Sequence, residues 1–313
     1  MLVSGALSLT PSAGGDIDWG GDRGVFAGGN PVNNVIQYID ITSTSNATDF
    51  GDLIATNARG KFGNVSNTTR GVFGGGNWGT DAYTNQMEYI TIASTGNGTD
   101  FGDLTTYSYI TDACSNDTRG ITNSMVGAGN TDTYYITIAS ASNTTAYGDL
   151  TTVRSGEFCN SSTRAVMMGG SSGTNDAGQD DIQYFTIAST ANSINFGDLT
   201  LARHAGGATS NGSRGVQCGG YNNSGGYSMY DTIDYITIAT TGNATDFGNC
   251  VTSAGYQRCA TSNGPRGIIA GGNTFGWVRT NDIEYITIAT TGNATNFGDL
   301  LVANDHVAAL SGD

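Results

Sequence analysis

The residue types that most often do chemistry are sparse in this 313-residue chain. The two histidines, His204 and His306, are not accompanied by a serine or cysteine motif. The acidic pairs Asp16/Asp18 and Asp180–Asp181 could solvate loops or hold a cation. A glycosidase would need two carboxylates that converge on one substrate, and the sequence presents no recognisable pair of this kind. We therefore predict that the protein is not an enzyme and has neither a cofactor nor a metal centre.

The cysteines are odd in number and do not form a CxxC motif or a Cys/His cluster. This pattern argues against a disulfide framework or a zinc site, and it predicts free thiols packed in the interior. The five positions are Cys114, Cys159, Cys218, Cys250 and Cys259.

The composition is acidic, with a formal charge of −15 and a pI near 4.2. Nucleic acids need cationic partners, as does adsorption to anionic membrane surfaces, so we predict neither role. Residues 1–12 lack the cationic start of a secretory signal, and no apolar run is long enough to span a membrane. The negative charge is better explained as a means of keeping a Gly/Asn/Thr-rich surface soluble.

One sequence motif recurs six times along the chain. In its first copy a tyrosine strand, Tyr38–Ile41, is followed by the element Phe50–Leu53. The tyrosines are spaced by 51, 46, 49, 51 and 50 residues, and each precedes the aromatic of its second element by twelve. A period near 50 built of short extended segments is typical of a propeller or a solenoid. The tyrosines are Tyr38, Tyr89, Tyr135, Tyr184, Tyr235 and Tyr285.

Each repeat can be divided into four strands. Strand C, such as 282–289, alternates residues that are apolar or β-branched on both faces, which predicts that both faces are covered. Strand D is predicted at 297–300, after a Gly/Asn-rich turn. Strand A is predicted at segments such as 202–210. Strand B begins at an arginine and ends in paired glycines, as in 214–220. In the third repeat, four extra residues are predicted after Arg119.

Paired glycines at the end of a strand indicate a bulge or a close approach of two backbones. Four antiparallel strands in each of six repeats predict an all-β, six-bladed propeller. The doublet, the tyrosine and the later aromatic resemble the Kelch repeat. The sequences "YITIATTGNATDFGDL" and "RGVFGGGN" more specifically resemble Kelch-like repeats of marine bacteriophages, above all cyanophages. This resemblance covers about residues 20–313.

This resemblance implies a virion structural or tail-fibre-like protein. The chain departs from ordinary Kelch repeats by having Phe where Trp is usual and a longer spacing from tyrosine to aromatic. We therefore expect a non-enzymatic interaction disc in a tail, fibre or capsid, with other virion proteins as partners and the virion as its location, after assembly in the host cytoplasm.

The chain ends are predicted to close the ring. Segment 303–311 reads as a strand A that has no strand B after it, whereas the repeats begin with a strand B at Arg23. Joining the two would remove open edges. Residues 13–19 also resemble a strand A and could compete for this position. We favour the C-terminal segment, which leaves residues 1–22 as an arm for attachment and 23–313 as the propeller.

The loops between strands B and C differ most in length, and insertions on one side of a repeat protein often mark a binding surface. Their aromatic residues could stack on sugars or anchor a protein partner, or could simply pack within their own loops. A lectin-like role towards host glycans is therefore the alternative to a purely structural disc. The candidate residues are Trp78, Tyr83, Tyr221, Tyr227, Tyr230, Phe275, Trp277 and Arg279.

One repeat position is always arginine. Such a set could attract an anion, but we favour a structural role, because a half-buried guanidinium needs a carboxylate or a backbone carbonyl as acceptor. The aspartate of the FGDL element recurs with the same period, although the fifth repeat has Asn249 instead. The arginines are Arg23, Arg70, Arg119, Arg164, Arg214 and Arg266.

Overall fold

The computed structural model describes residues 21–54, 63–76, 83–108, 112–123, 131–152, 155–171, 177–252 and 254–313. Trp78 and residues 1–20 of the predicted arm lie outside these ranges. The described residues form strands and turns, and they include no helix long and apolar enough to cross a membrane.

The strands follow the six sequence repeats. The first two repeats contain β1 (Arg23–Ala27), β2 (Val35–Asp40), β3 (Thr48–Asp52), β4 (Gly63–Ser66), β5 (Arg70–Gly74), β6 (Thr84–Thr91) and β7 (Thr99–Ser108). The next two contain β8 (Ala113–Ser115), β9 (Arg119–Asn123), β10 (Asp132–Thr137), β11 (Thr145–Asp149), β12 (Glu157–Asn160), β13 (Arg164–Ser171), β14 (Gly178–Thr186) and β15 (Ile194–Arg203).

The fifth repeat adds two short strands to its loop. It contains β16 (Gly207–Ser210), β17 (Arg214–Cys218), β18 (Tyr221–Asn222), β19 (Ser228–Met229), β20 (Thr232–Thr237) and β21 (Thr245–Asn249). The remainder comprises β22 (Ala254–Tyr256), β23 (Cys259–Ser262), β24 (Arg266–Ala270), β25 (Asn273–Thr274), β26 (Val278–Arg279), β27 (Asp282–Thr287), β28 (Thr295–Asp299) and β29 (Ala308–Gly312).

In the described part of the chain, six four-stranded sheets share the strand order A-B-C-D. All their pairings are antiparallel, which gives an all-β fold. The orders for sheets 1 to 6 are β29-β1-β2-β3, β4-β5-β6-β7, β8-β9-β10-β11, β12-β13-β14-β15, β16-β17-β20-β21 and β23-β24-β27-β28. In sheet 1, strand A is the C-terminal β29, whose Leu310 is paired with Val25. The favoured segment of the two sequence candidates thus lies beside β1.

The core lies between the sheets. Strand C is buried on both faces, as its sequence predicts; in β27, for example, Ile283, Glu284 and Ile286 are all buried. Each of six apolar clusters is shared by two successive sheets, and one of them joins sheet 6 to sheet 1 through residues such as Phe297 and Phe26. A single sheet would expose both of its apolar faces, so each depends on its neighbours.

The repeated arginine connects successive sheets. Each guanidinium lies over the strand C tyrosine of its own sheet, at 4.1 to 4.7 Å from the ring centroid. Its Nη1 donates to the backbone oxygen of an isoleucine in the next sheet, at 2.7 to 3.1 Å. The donor–acceptor pairs are Arg23–Ile92, Arg70–Ile138, Arg119–Ile187, Arg164–Ile238, Arg214–Ile288 and Arg266–Ile41.

Of the two acceptors considered for these arginines, the structure selects the carbonyl. None of the six forms an ion pair with a repeated aspartate among the described residues. The aspartates lie on the outer strands, and Asn249 in the fifth repeat leaves Arg214 with the same carbonyl acceptor as the others. The tyrosines also have structural roles, since each packs edge-on against the strand D aromatic, with centroids 6.0 to 6.2 Å apart.

The turn between strands C and D also contacts the preceding sheet. Asn97 in this turn of sheet 2 accepts the backbone N–H of Asp52 in sheet 1 at 3.0 Å, and all six sheets repeat this bond. A side chain at Gly51 would collide with the backbone of Gly96. The FGDL motif therefore recurs because its glycine and the backbone N–H of its aspartate form a contact between sheets.

A final set of bonds joins the A strands. The residue at one position of each A strand donates its side chain to the backbone oxygen of the equivalent residue in the preceding sheet, at 2.6 to 2.9 Å. In sheet 1 the preceding equivalent is in sheet 6, since Ser311 donates to Ser262. Residues from all six A strands line a solvent-open cavity of about 90 Å³. The donors are Ser66, Ser115, Asn160, Ser210, Ser262 and Ser311.

Strand D forms the outer edge of every sheet and bears much of the negative charge. Its aspartates are exposed or half-exposed, which places acidic side chains along edges that could otherwise pair with another chain. The acidic composition thus protects free strand edges as well as favouring solubility. These residues are Asp49, Asp52, Asp100, Asp103, Asp149, Asp198, Asp246 and Asp299.

Three sequence-based boundaries need correction. The third repeat has no insertion after Arg119, because Arg119–Asn123 forms strand B directly. Strand A of sheet 5 is only Gly207–Ser210, since residues 202–203 end the long strand β15. Asp22, assigned to the arm, belongs to the fold, since it accepts the N–H of Ile41 at 2.7 Å.

The arginine geometry leads to a stability prediction. Arg164→Lys keeps the charge but loses the planar guanidinium that stacks on Tyr184 and reaches Ile238 O. We expect a loss of about 1–2 kcal/mol in the free energy of unfolding, measured by chemical denaturation. Asp198→Asn, at the same repeat's aspartate, is the control and should change stability by less than about 0.5 kcal/mol. A larger loss in the aspartate variant would contradict the carbonyl assignment.

Candidate functional site

The exposed apolar side chains lie mainly at one end of the sheets. We call this the loop end, where strand B joins C and strand D joins the next strand A. Nine of the ten large hydrophobic residues that are exposed in the described part of the chain lie there, and only Ile194 lies at the opposite end. The nine are Tyr83, Leu201, Tyr227, Val251, Phe275, Trp277, Val278, Leu301 and Val302.

The candidate loop residues divide into separate groups. Tyr83 is exposed at sheet 2, far along the chain from the others, and Phe275 is 73% exposed at the tip of the β25–β26 hairpin. Tyr230 is half-buried, and its N–H donates to Gly220 O at 2.9 Å. The structure brings together Tyr221, Tyr227 and Trp277, from the loops of sheets 5 and 6.

These three residues belong to an aromatic cluster that also includes Tyr256, His204 and His306. Tyr221 is buried at its base, with its centroid 5.3 Å from that of Tyr256 and 6.0 Å from that of Trp277. Trp277 lies 5.0 Å from Tyr256 and meets Tyr227 at 6.1 Å and 84°. Tyr221 thus packs inside its loop, whereas Tyr227 and Trp277 remain 63% and 50% exposed.

Trp277 occupies an unusual backbone conformation. It lies next to Gly276 at the tip of the β25–β26 hairpin with φ of 64°, in the left-handed region that bulky residues seldom adopt. The Trp277 N–H donates to Thr274 O at 3.0 Å, which closes this turn. Glycine would fit the conformation without strain, so the indole is held in an exposed position at a conformational cost.

A polar group lies beside the aromatic cluster. Arg279 Nε donates to Asp305 Oδ2 at 2.8 Å, and Asn273 Nδ2 donates to the same oxygen at 2.8 Å. Asp305 Oδ1 contacts the Nδ1 of His306, whose ring packs on Tyr256 at 5.8 Å. Burial alone would raise the pKa of Asp305, but the bonds from His306, Asn273 and Arg279 hold it below the usual value. Arg279 and Asp305 thus form a locally neutral ion pair.

Tyr256, Asp305 and His306 were not among the site residues predicted from the sequence. All three lie in the connections between strand D and the next strand A, which were assigned no binding role. Asp305 and Tyr256 occupy the same repeat position, three residues before strand A, as does His204. Aligning these connections would have shown an aromatic, a histidine and an acid at one position, and that variation was the available signal.

Two acids between the sheets were also missed. Asp112 is half-buried, and its carboxylate accepts the N–H groups of Phe158 at 2.5 Å and Ala113 at 2.9 Å. Glu157 is buried and accepts the N–H of Gly206 at 3.0 Å and the Nε2 of Gln217 at 2.7 Å. The acids thus connect sheet 3 to sheet 4 and sheet 4 to sheet 5. Equivalent positions in the other described sheets have Gly63, Gly207, Cys259 and Ala308.

Burial raises the pKa of both acids. That of Asp112 is raised to about 7, against the lowering effect of the N–H groups of Phe158 and Ala113. Burial, with the nearby charge of Asp112, raises the pKa of Glu157 to about 8. These groups are well placed to hold protons near neutral pH, but they face neighbouring sheets rather than a described cleft. We assign them a structural role.

Buried charge pairs complete the interior between sheets 4, 5 and 6. Arg203 lies 3.1 Å from Asp234, and Arg258 lies 3.1 Å from Glu284, with all four side chains at most 1% exposed. The acids occupy one strand C position, at which sheet 1 has Gln37. Each also accepts a backbone N–H from the preceding sheet: Asp234 from Thr200 in strand D at 3.0 Å, and Glu284 from Val251 just after strand D at 2.9 Å. These pairs fix the connections beneath the aromatic cluster.

The five cysteines are buried free thiols, as predicted. Cys218 and Cys250 share a hydrogen bond in sheet 5 near Arg258, where Cys250 replaces the leucine of the FGDL element. That bond raises the pKa of Cys218. It lowers the pKa of Cys250, as does the positive charge of Arg258, while burial acts in the opposite direction. Among the described residues, no group of three or more His, Cys, Asp or Glu side chains could hold a metal ion.

Comparison with known proteins shows likeness at the level of the fold. The chain matches no protein family and no curated protein sequence. Among the solved structures that resemble it is one described as "Structure of YjhT", with a TM-score of 0.71 and 11% identity over 90% of this chain and 95% of that chain. Since 396 solved chains match, the shared fold does not select a function.

The buried acids predict the sign of a pH dependence. Their folded pKa values of about 7 and 8 exceed the ordinary values of 3.8 and 4.5, so the native state binds more protons than the unfolded chain. The stabilisation is complete below about pH 4 and is lost as the pH rises to about 8. We expect the Tm to fall by ~5 °C or more between pH 5.5 and 8.5.

The double variant Asp112→Asn, Glu157→Gln should flatten this dependence in thermal melts. Asp299→Asn, on an outer strand, is the control and should keep the wild-type slope. If the double variant retained that slope, another group would have to be its source.

Proposed function

We propose that the six sheets are the blades of a Kelch-like β-propeller, closed by β29, which acts as a rigid, non-catalytic protein-interaction disc in a bacteriophage virion. One observation supports the ring most strongly: the contacts between successive sheets also join sheet 6 to sheet 1. Arg266 donates to Ile41 O, Ser311 donates to Ser262 O, and Asn46 accepts the N–H of Asp299. A ring without a weak junction would resist shear and proteolysis.

The distribution of apolar surface supports an interaction role. Exposed hydrophobic residues gather at the loop end, whereas the C–D turns at the opposite end are built of Thr, Gly, Asn and Ser. Apolar side chains concentrated on one side favour a protein partner on that side. Aliphatic residues such as Val251, Val278 and Leu301 contribute to this surface, and they suit a protein better than they suit a glycan.

The amino-acid sequence of the repeats supports a location of this protein in a virion. It resembles Kelch-like repeats of marine phage structural and tail-fibre-like proteins, and the partners are then other proteins of a tail, fibre or capsid. The N-terminal arm would provide the attachment. Its boundary is best placed at residue 20, because Asp22 is hydrogen-bonded within the fold.

A second candidate is a lectin-like propeller that binds glycans of the host surface through its aromatic loops. The observation that favours it is the pair of half-exposed rings, Tyr227 and Trp277, which meet nearly at a right angle. The two roles are compatible, since a disc can be attached through its arm and one face while a loop site remains open.

Ring closure can be tested by complementation. Deleting residues 303–313 removes β29 and leaves β1 without its partner. We expect the Tm to fall by ~10 °C or more, and we expect a synthetic peptide of residues 303–313 to restore it. The same peptide with Leu310→Asp is the control and should fail, because Leu310 is buried against sheet 2. A truncated chain that melts like the full chain would contradict a closed ring.

The virion role can be tested in assembled particles. We expect the protein in purified virions, with crosslinks from the loop end or from residues 1–20 to other virion proteins. Carboxyl-reactive crosslinkers suit a chain with 27 acidic residues and a single lysine, Lys61. Removing residues 1–20 should abolish incorporation while leaving the Tm of the isolated protein unchanged. Absence from virions, or normal incorporation of the truncated chain, would count against the proposal.

A further inference from the structure

We propose that the corner between Trp277 and Tyr227 is a binding site for a neutral hexopyranose. This inference rests on the proposed function in one respect, since it takes the loop end as the binding side. The corner consists of two rings whose centroids are 6.1 Å apart and whose planes meet at 84°. A sugar ring could stack its apolar C–H face on one aromatic side chain and place its edge against the other.

Buried aromatic side chains support the corner from below. Tyr221, only 1% exposed, contacts both rings from below, at 5.8 Å from Tyr227 and 6.0 Å from Trp277. Tyr256 supports the indole at 5.0 Å and is itself held by His306. Little side-chain entropy would therefore be lost on binding, which matters most for a small ligand.

The backbone provides an independent indication of a ligand. Trp277 is half-exposed and yet has a positive φ of 64°, a conformation that glycine would adopt at lower cost. Packing alone does not explain this, because half of the side chain faces solvent. Strained residues with exposed side chains are typical of binding sites, where the required ligand geometry offsets the strain.

The local charge favours a neutral sugar over an anionic one. Arg279, two residues after Trp277 in the same hairpin, is paired through Nε with Asp305 at 2.8 Å, so the pair has no net charge. The Arg279 side chain is 38% exposed, which leaves its outer N–H groups able to donate to sugar hydroxyls. The whole chain has a charge of −15, which would repel an acidic saccharide.

The site depends on sheets 5 and 6 in particular. Tyr221 directly follows the glycine doublet of sheet 5, where the corresponding residues of sheets 1 and 6 are Asn30 and Asn273. The hairpins that present Tyr227 and Trp277, β18–β19 and β25–β26, are additions to the four-stranded pattern. In the part of the chain that is described, these additions occur in the two repeats that build the corner.

The test uses the full chain and four soluble probes. Methyl glucopyranoside, methyl galactopyranoside and methyl mannopyranoside represent neutral hexopyranoses, and the methyl glycoside of glucuronic acid, with its free carboxylate, represents the anionic class. Binding is followed by saturation-transfer NMR and by tryptophan fluorescence. For ligands of this size we expect at least one neutral probe to bind with a Kd of about a millimolar.

Four variants separate the corner from the rest of the surface. Trp277→Ala and Tyr227→Ala should each weaken binding at least tenfold, and Trp277→Phe should retain most of it. Tyr83→Ala, an exposed aromatic at sheet 2, is the matched control and should bind like wild type. Thermal melts of each variant verify folding, and Tyr227→Ala keeps the test valid if the Trp277 variants unfold.

Three results would overturn the sugar site: no saturable binding by any neutral probe, unchanged binding in the Trp277→Ala and Tyr227→Ala variants, or preference for the glucuronate. Virion crosslinking distinguishes this failure from failure of the proposed function. If the corner variants bind no less sugar but lose crosslinks to virion proteins, the corner is a protein contact and the interaction disc remains supported.

Discussion

A half-buried guanidinium needs acceptors, and in this protein each one finds them in two places at once: the tyrosine face of its own sheet and a backbone carbonyl of the next. Arg214, for example, lies 4.1 Å from the centroid of Tyr235 and donates to Ile288 O at 2.9 Å. The acceptor belongs to another sheet, so no repeat can satisfy its arginine alone. The same dependence holds for the apolar faces of strand C, and it accounts for the regular repetition of the sequence.

Positions that recur in every repeat serve the structure, whereas positions that differ between repeats include the candidate sites. Residues that recur in every repeat, such as the arginine, the tyrosine and the FGDL glycine, form the contacts between neighbouring sheets. The possible functional features lie where repeats differ: the hairpins of sheets 5 and 6, the connections that supply Tyr256 and His306, and the acids Asp112 and Glu157. In a repeat protein the departures from the pattern are therefore the best guide to sites.

Much of the four-stranded pattern could be predicted because strands B and C have strong local signals, an arginine before an apolar run and a two-sided apolar segment. Strand A has a weaker signal, so its bounds near Ala202 were wrong, and a shifted alignment placed an insertion after Arg119. The structure brings together three of the eight loop candidates, Tyr221, Tyr227 and Trp277. Their partners Tyr256 and His306 come from other connections, and only three-dimensional proximity identifies such contacts.

The measurement that tests the central claim most directly is an experimental structure of the isolated protein at a resolution that shows side chains. We predict six four-stranded sheets around one axis, with each strand B arginine over its own tyrosine and bonded to the next sheet, including Arg266 to Ile41 and Ser311 to Ser262. An open superhelix, a different number of sheets, or a gap between the sixth sheet and the first would contradict this account.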